Sequence, residues 1–208
     1  MTRSQLIELV RRQASGGQPT DDTDFTDGLV NIWVNQGIAL AARKNYTDGI
    51  QLDGIGYVNN GFYTTYKALP VTADETFLWK IQLPEIPIGI GRNEGISTLQ
   101  FKDENGVLSF PCIPMSQNQK GYFQTMRPIP NKTLYYYEGS SVFAISTILL
   151  SQYTASATIV SGGDSADLSS QVNVPEDYMP IIVEYVGKQM AIQLSRPKDT
   201  ANDGATTV

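Results

Sequence analysis

Ile96-Ser97-Thr98-Leu99-Gln100-Phe101-Lys102-Asp103-Glu104-Asn105-Gly106-Val107-Leu108-Ser109-Phe110 decides the fold class of this chain. Two strand-like runs, Ile96–Phe101 and Val107–Phe110, flank the polar stretch Lys102 to Gly106. Asn-Gly at that point is the strongest hairpin signal in the sequence, because a tight two-residue turn needs backbone at positive φ.

The same character extends outward over about 57–172. Gly, Pro and Asn punctuate short runs of alternating polarity. Phe62–Leu69 reads as a strand ending before Pro70, and Phe77–Leu83 as one ending at Pro84. Thr133–Tyr137 and Ser141–Ser146 flank Glu138-Gly139-Ser140 as a second hairpin, and Thr147–Thr158 continues strand-like. Short strands at this spacing predict an antiparallel β-sandwich or open barrel.

On either side the period becomes helical. Thr2–Ala14 carries Leu6, Leu9, Val10 and Ala14 at helical spacing, with Thr2 or Ser4 as cap and Ser15-Gly16-Gly17-Gln18-Pro19 as the stop. A second helix is predicted from about Asp24 to Tyr46. Phe25, Leu29, Ile32, Trp33, Gln36 and Leu40 form its inward face, and Asp48-Gly49 closes it. After a flexible joint at Ser161–Ser165, a third helix begins late, because Pro180 fits only a first turn, with Asp177 as its cap. Its apolar residues Tyr178, Ile181, Ile182, Tyr185 and Val186 should pack on the second helix.

The resulting class is α+β: terminal helices forming a helical bundle, with an inserted antiparallel β-sandwich or barrel-like domain. The expected divisions are 1–50 and 172–196 for the bundle, 57–165 for the β domain, and 197–208 for an extended C-terminal tail.

Composition narrows function. The 208 residues contain no histidine and one cysteine, Cys112. This removes Ser-His-Asp and Cys-His catalysis, His-containing metal sites and disulfides within the chain. A net charge of −6 argues against a broad phosphate-binding face. Only 17% of residues are charged, so part of the surface is expected to be hidden in an assembly. Met1–Gln13 lacks the apolar segment of a secretory signal, and the stretch near Val142–Leu150 is too short for a membrane span. Folding in a cytoplasm, with no membrane partner, is the expectation.

The chemical motifs have structural readings. Gly89-Ile90-Gly91-Arg92-Asn93-Glu94-Gly95 resembles a phosphate loop but lacks the surrounding βαβ unit, so it reads as a loop between strands. Asp21, Asp22, Asp24 and Asp27 lack the glycine and closing glutamate of a calcium loop, and read as capping and solvated charge. Glu75, Glu85, Glu94 and Asp103 are the available acids for a hydrolase, each near a turn. Tyr135-Tyr136-Tyr137, with Tyr122 and Phe123, could form an aromatic platform for sugar or bases. On a strand, however, Tyr136 faces away from Tyr135 and Tyr137, so one face should pack the core and the other meet a neighbouring subunit. Cys112, with nothing basic near it in sequence, reads as a small buried hydrophobe. No cofactor, metal or catalytic residue is expected, and the chain is not expected to be an enzyme.

Three segments carry a resemblance. They are the helix, Gly-Gly-Gln-Pro-Thr-Asp-Asp link and second helix of Met1–Tyr46; the aromatic hairpin Asn131–Gly139; and Val174-Pro175-Glu176-Asp177-Tyr178 opening a helix that ends in Arg196-Pro197-Lys198-Asp199-Thr200-Ala201-Asn202-Asp203-Gly204. Together they resemble the head-to-tail connector (adaptor or ring) proteins of tailed phages, with the ring and adaptor proteins of short-tailed, crAss-like phages the most similar group. The resemblance implies a virion structural protein assembled in the host cytoplasm into a homo-oligomeric ring, commonly a dodecamer. It implies contact with the portal or another tail ring, and a lumen that passes DNA without reading it. It further implies interaction roles for Arg196, Pro197, Lys198, Asp199, Asn202, Asp203 and Gly204 in a docking tail; Tyr135 and Tyr137 belong to the aromatic hairpin at the proposed contact surface. The alternatives are a tail-hub or fibre-adaptor protein, a carbohydrate-binding module, and a carboxylate-based glycan hydrolase.

Overall fold

The computed structural model describes residues 1–14, 25–90, 95–103, 105, 108–116, 119 and 132–195. Its main elements are helices α1 (Arg3–Ala14), α2 (Asp27–Asp53) and α3 (Met179–Ser195), and seven strands between α2 and α3. The strands are β1 (Tyr63–Glu75), β2 (Leu78–Gln82), β3 (Ile96–Lys102), β4 (Leu108–Pro114), β5 (Thr133–Glu138), β6 (Ser141–Ile145) and β7 (Thr154–Val160). The protein is therefore mixed α and β, with a barrel-like sheet in the order β1-β2-β6-β5-β4-β3-β7, closing back on β1.

Closure depends on a corner in β1. Its first part, from Tyr63 to Pro70, pairs with β7, and its last part, from Val71 to Glu75, pairs with β2. The register slips between Tyr66 and Leu69, and Ala68 sits there at φ 57°, a left-handed conformation that turns the strand. The predicted stop at Pro70 is therefore corrected: the strand runs through the proline, which lies just past the corner. Phe62, placed in the strand by sequence, belongs instead to a preceding 3₁₀ turn.

The Gly139-Ser140 hairpin is as predicted, with Gly139 at φ 61° and the β5–β6 register running from Leu134↔Ile145 to Glu138↔Ser141. β3 and β4 are antiparallel, as the Asn-Gly reading requires, and Asn105 N–H closes its turn on Asp103 Oδ1 at 3.0 Å; Gly106 lies outside the described residues. β4 does not stop at Phe110 but continues to Pro114. One expectation is overturned: β4 and β5 are parallel, with Cys112, Ile113 and Pro114 opposite Thr133, Leu134 and Tyr135. The long connection between them gives the chain room to return to the starting end, as a parallel pair needs. Nor is Thr147–Thr158 one strand. A 3₁₀ turn at Leu150–Gln152 interrupts it before β7.

The helices form where capping and packing agree. Thr2 Oγ1 accepts from Gln5 N–H while Gln5 Oε1 accepts from Thr2 N–H, a reciprocal cap on α1. α2 starts three residues later than predicted, at a Thr26 cap, and runs past Asp48-Gly49 to Gly54 at φ 71°. Gly49 is buried within the helix, and a Cβ there would stand 3.2 Å from the Tyr57 ring. A 3₁₀ turn, Glu176–Tyr178, leads into α3, so Pro180 falls in its first turn as predicted. Asp177 is part of that turn rather than the cap.

Helices α1, α2 and α3 share one apolar core, including Leu6, Val10, Val34, Ile38, Ile182 and Val186. Phe62, Ile90, Val160 and Val172, from the barrel strands and connections, complete it. A second core, around Trp79, Ile81, Phe101 and Ile159, fills the barrel.

The predicted inward face of α2 needs correction. Trp33 is buried, meeting Phe25 edge-on at 5.4 Å, but Leu29, Ile32, Gln36 and Leu40 face water. The buried line is instead Val30, Val34, Ile38 and Ala41. α2 is apolar on both lines, and the position of α3 selects one. Gly37 permits this approach, since a Cβ there would lie 3.1 Å from Ile182 Cγ2.

Candidate functional site

A polar network joins the start of the chain to the segment that follows β7. Arg3, at the start of α1, is 1% exposed. Its Nη1 donates to Asn31 Oδ1 at 3.0 Å and Asn35 Oδ1 at 2.6 Å, and its Nη2 to the carbonyl oxygens of Gly162 and Gly163 at 3.2 and 2.9 Å. Asn31 Nδ2 donates onward to Ser165 O at 2.8 Å. Ser161–Ser165, predicted to be a flexible joint, is thus held by α1 and α2. Buried carbonyls require donors, and Arg3 supplies them.

Glu85 receives a second branch. Asn173 Nδ2 donates to Thr64 Oγ1 (2.9 Å), Thr64 and Ser161 hydroxyls are 3.1 Å apart, and Ser161 donates to Glu85 Oε1 at 3.1 Å. Tyr66 OH also donates to that oxygen. With the Ser161 proton on Glu85, Thr64 donates to Ser161, so this chain of donors runs one way and ends at the carboxylate. Burial raises the Glu85 pKa above the ordinary carboxylate range, opposed by the Ser161 hydrogen bond and the positive charge of Arg3. Burial likewise lowers Arg3 from its ordinary value. Arg3, Asn35, Glu85 and Ser161 line a chamber of about 370 Å³. Its side chains are occupied in holding segments together, an arrangement that fixes geometry rather than activating a nucleophile.

The acids available for hydrolysis sit in separate parts of the described structure. Glu85 serves this network, Glu75 ends β1, Asp103 follows β3, and Glu94 lies outside the described residues. Asp27 pairs with Arg11 at 2.6 Å on the first turn of α2, while Asp21, Asp22 and Asp24 lie outside the described residues. Among the described residues no group of three His, Cys, Asp or Glu could hold a metal ion, and no helix is long and apolar enough to cross a membrane. Gly89 is in the connection between β2 and β3, its carbonyl accepting from Arg43 Nε at 3.2 Å; Gly91–Glu94 lie outside the described residues.

The β5 tyrosines alternate as their spacing predicts, but both faces are covered. Tyr135 is 4% exposed in the barrel core, and burial pushes its hydroxyl up to about 12. Tyr137 is half-buried beside it. Tyr136, on the opposite face, stacks on Phe143 at 5.2 Å within a small cluster that includes Leu78, Met115 and Ile145. An open aromatic platform is therefore absent from β5. Tyr122, Phe123 and the proposed tail residues Arg196, Pro197, Lys198, Asp199, Asn202, Asp203 and Gly204 lie outside the described residues. Cys112 is half-buried, and burial pushes its thiol up to about 12, which makes it a poor nucleophile.

Two surfaces among the described residues bear on binding. On α2, Leu29 (37% exposed), Ile32 (54%) and Leu40 (44%) follow one line at helical spacing. Gln36, between them, accepts from Tyr185 OH at 3.1 Å. At the barrel wall, a cleft of about 540 Å³ opens between β3 and the β4–β5 pair.

No protein-family model matches this chain, and no curated protein matches it significantly.

Sequence reasoning missed Arg3, Asn31, Asn35, Ser161 and Asn173. Arg3 reads as one of several helix cations, and its partners are 28 to 160 residues away. A conspicuously placed signal existed only at Ser161-Gly162-Gly163, where small residues admit a guanidinium to the backbone.

Proposed function

We propose that this chain is a structural virion protein, a head-to-tail connector ring of a tailed phage, rather than a catalyst. The observation that carries this reading is the set of exposed apolar residues Leu29, Ile32 and Leu40, which follow one line of α2 outside the shared core. Such a stripe is suited to being covered by another protein surface. In a ring, the stripe of each copy meets the next copy, and the terminal helices act as the bundle carrying these contacts while the barrel projects. The Arg3 network supports the same role, since it holds both parts of the described chain in a fixed relation.

The remaining features follow from the resemblance. The ring, commonly twelvefold in that family, stacks on a portal or another tail ring, and the tail from Arg196 docks into the neighbouring layer. An acidic balance of −6 per copy suits a channel along which DNA slides, because like charge repels phosphate.

The test is a mixture of the purified full chain with the portal protein encoded by the same genome, read by light scattering. A mass increase matching a ring of copies on the portal is expected, and Ile32→Asp with Leu40→Asp should abolish it. No increase, with portal alone or with portal already carrying its other tail proteins, overturns the connector reading. Attachment to a receptor-binding fibre instead would assign the chain to a tail hub.

A further inference from the structure

Among the described residues, Ala68 and Phe77 are the non-glycine residues at positive φ. The corner of β1 accounts for Ala68. Phe77, at φ 65°, lies at the tip of the β1–β2 hairpin, where Thr76 and Phe77 make the turn between Glu75 and Leu78. Hairpin turns do use positive φ, but Gly, Asn and Asp supply it at little cost. A bulky aromatic there is strained, and strain of this kind collects at functional positions. The Phe77 carbonyl accepts from Ser146 N–H at 3.0 Å, which ties the tip to the residue after β6. The ring itself is 48% exposed, and Thr72, Ala73, Asp74, Glu75 and Thr76 beside it are exposed as well. Lys80, the nearest cation along the hairpin, lies 5.9 Å over the Phe143 ring. The tip is thus an aromatic knob with two acids, Asp74 and Glu75.

The α2 face carries the opposite combination. Leu40 is 44% exposed, and Arg43 and Lys44, three and four residues on, are its neighbours on the helix surface. Between Asp27 and Asp48 these are the only charged residues of α2. Arg43 Nε donates to the carbonyl of Gly89 at 3.2 Å, and across on α3 Glu184 is taken by Lys188 at 2.6 Å. None of Asp74, Glu75, Arg43 and Lys44 is in a salt bridge among the described residues.

We propose that the β1–β2 tip docks on α2 of a second copy of this chain. Phe77 packs on Leu40 of the neighbouring copy, and Asp74 and Glu75 face that copy's Arg43 and Lys44. An aromatic anchor seated on an apolar spot supplies the affinity, and the surrounding charges fix partner and register. Knob and receiver are different surfaces, so each copy gives one and takes one. Such a head-to-tail contact builds a ring when its rotation closes. The inference rests on the reading that copies of this chain meet through the α2 stripe, and it names what the stripe meets.

The test mixes full chains carrying Thr76→Cys, beside Phe77, with full chains carrying Thr47→Cys, two turns beyond Leu40 on α2. Mixing is done under mild oxidation, alone and with the portal protein of the same genome, and linked peptides are identified by mass spectrometry. A disulfide between the two introduced thiols is expected. Asp74→Lys with Glu75→Lys in the first chain should lower its yield about tenfold or more, and Arg43→Glu with Lys44→Glu in the second should restore it. Phe77→Gly should also lower the yield, yet raise the urea midpoint of the unlinked chain, because glycine takes the turn without strain. A yield unchanged by these substitutions, or not restored by the second reversal, overturns the proposal. So does absence of the link while the portal still gains mass, an outcome that leaves the connector reading standing. Linked copies that the portal does not take up keep the proposal and overturn the connector reading. No link and no uptake overturns both.

Discussion

The Arg3 guanidinium donates to the carbonyl oxygen of Gly163 at 2.9 Å, joining the first turn of α1 to a point 160 residues later. The contact fixes the exit of β7 against both α1 and α2, because Asn31 and Asn35 accept from the same side chain. It links the helical core to the barrel more directly than any motif visible along the chain.

Arg3→Met should destabilise the fold by about 3 kcal/mol, since it leaves several buried acceptors without donors. The urea midpoint should fall with little change in slope. Arg3→Lys should recover only part of the loss, because an ammonium lacks the planar fork that reaches two asparagines and two carbonyls together. A midpoint unchanged in Arg3→Met would refute the structural role.

The Glu85 pKa predicts a pH dependence. A carboxyl raised above its ordinary value of 4.5 binds its proton more readily in the folded state. Its contribution is present below that value and is lost as pH rises through the raised one. Glu85→Gln keeps an acceptor for Ser161 and Tyr66 but cannot ionise. Melting curves across that range should therefore show the parent chain losing stability relative to Glu85→Gln as pH rises. Parallel curves would show that Glu85 has no such role.

Trp33 and Ile32 are neighbours in sequence, but Trp33 is buried and Ile32 is 54% exposed. Trp33→Asp places a charge in the shared core and should lower stability by more than about 4 kcal/mol, to the point of unfolding. Ile32→Asp lies on the exposed stripe and should change monomer stability by no more than about 0.5 kcal/mol. Thermal melts of the two variants decide between the buried and exposed assignments; equal effects would contradict them.

At the β1 corner, Ala68→Gly should be neutral to stabilising, by up to about 1 kcal/mol, because glycine adopts φ 57° without a Cβ clash. Ala68→Val should cost about 1–2 kcal/mol for the opposite reason. A stabilising valine would mean that this corner is not left-handed in solution.

Local signals were readable from the residues themselves. Thr2 and Gln5 cap α1 because their spacing alone brings them together. Gly139-Ser140 makes a hairpin because its glycine supplies the needed positive φ. The α2 helix was legible from its period, but its inward face was not: Leu29, Ile32 and Leu40 satisfy a helical stripe as well as Val30, Val34 and Ile38 do. The parallel β4–β5 pairing was equally hidden, since no residue type marks a strand as parallel when its connection is long.

The sequence by itself determined where helix gives way to strand and back to helix, and which catalytic chemistries a chain without histidine lacks. Those properties depend on composition and on residues a few positions apart. Only the tertiary structure decided the Ala68 corner, the parallel β4–β5 pairing, and the buried union of Arg3 with Gly162 and Gly163. Each arises from groups brought together across long stretches of chain, where spacing carries no information and the requirement to satisfy buried polar groups selects the partners.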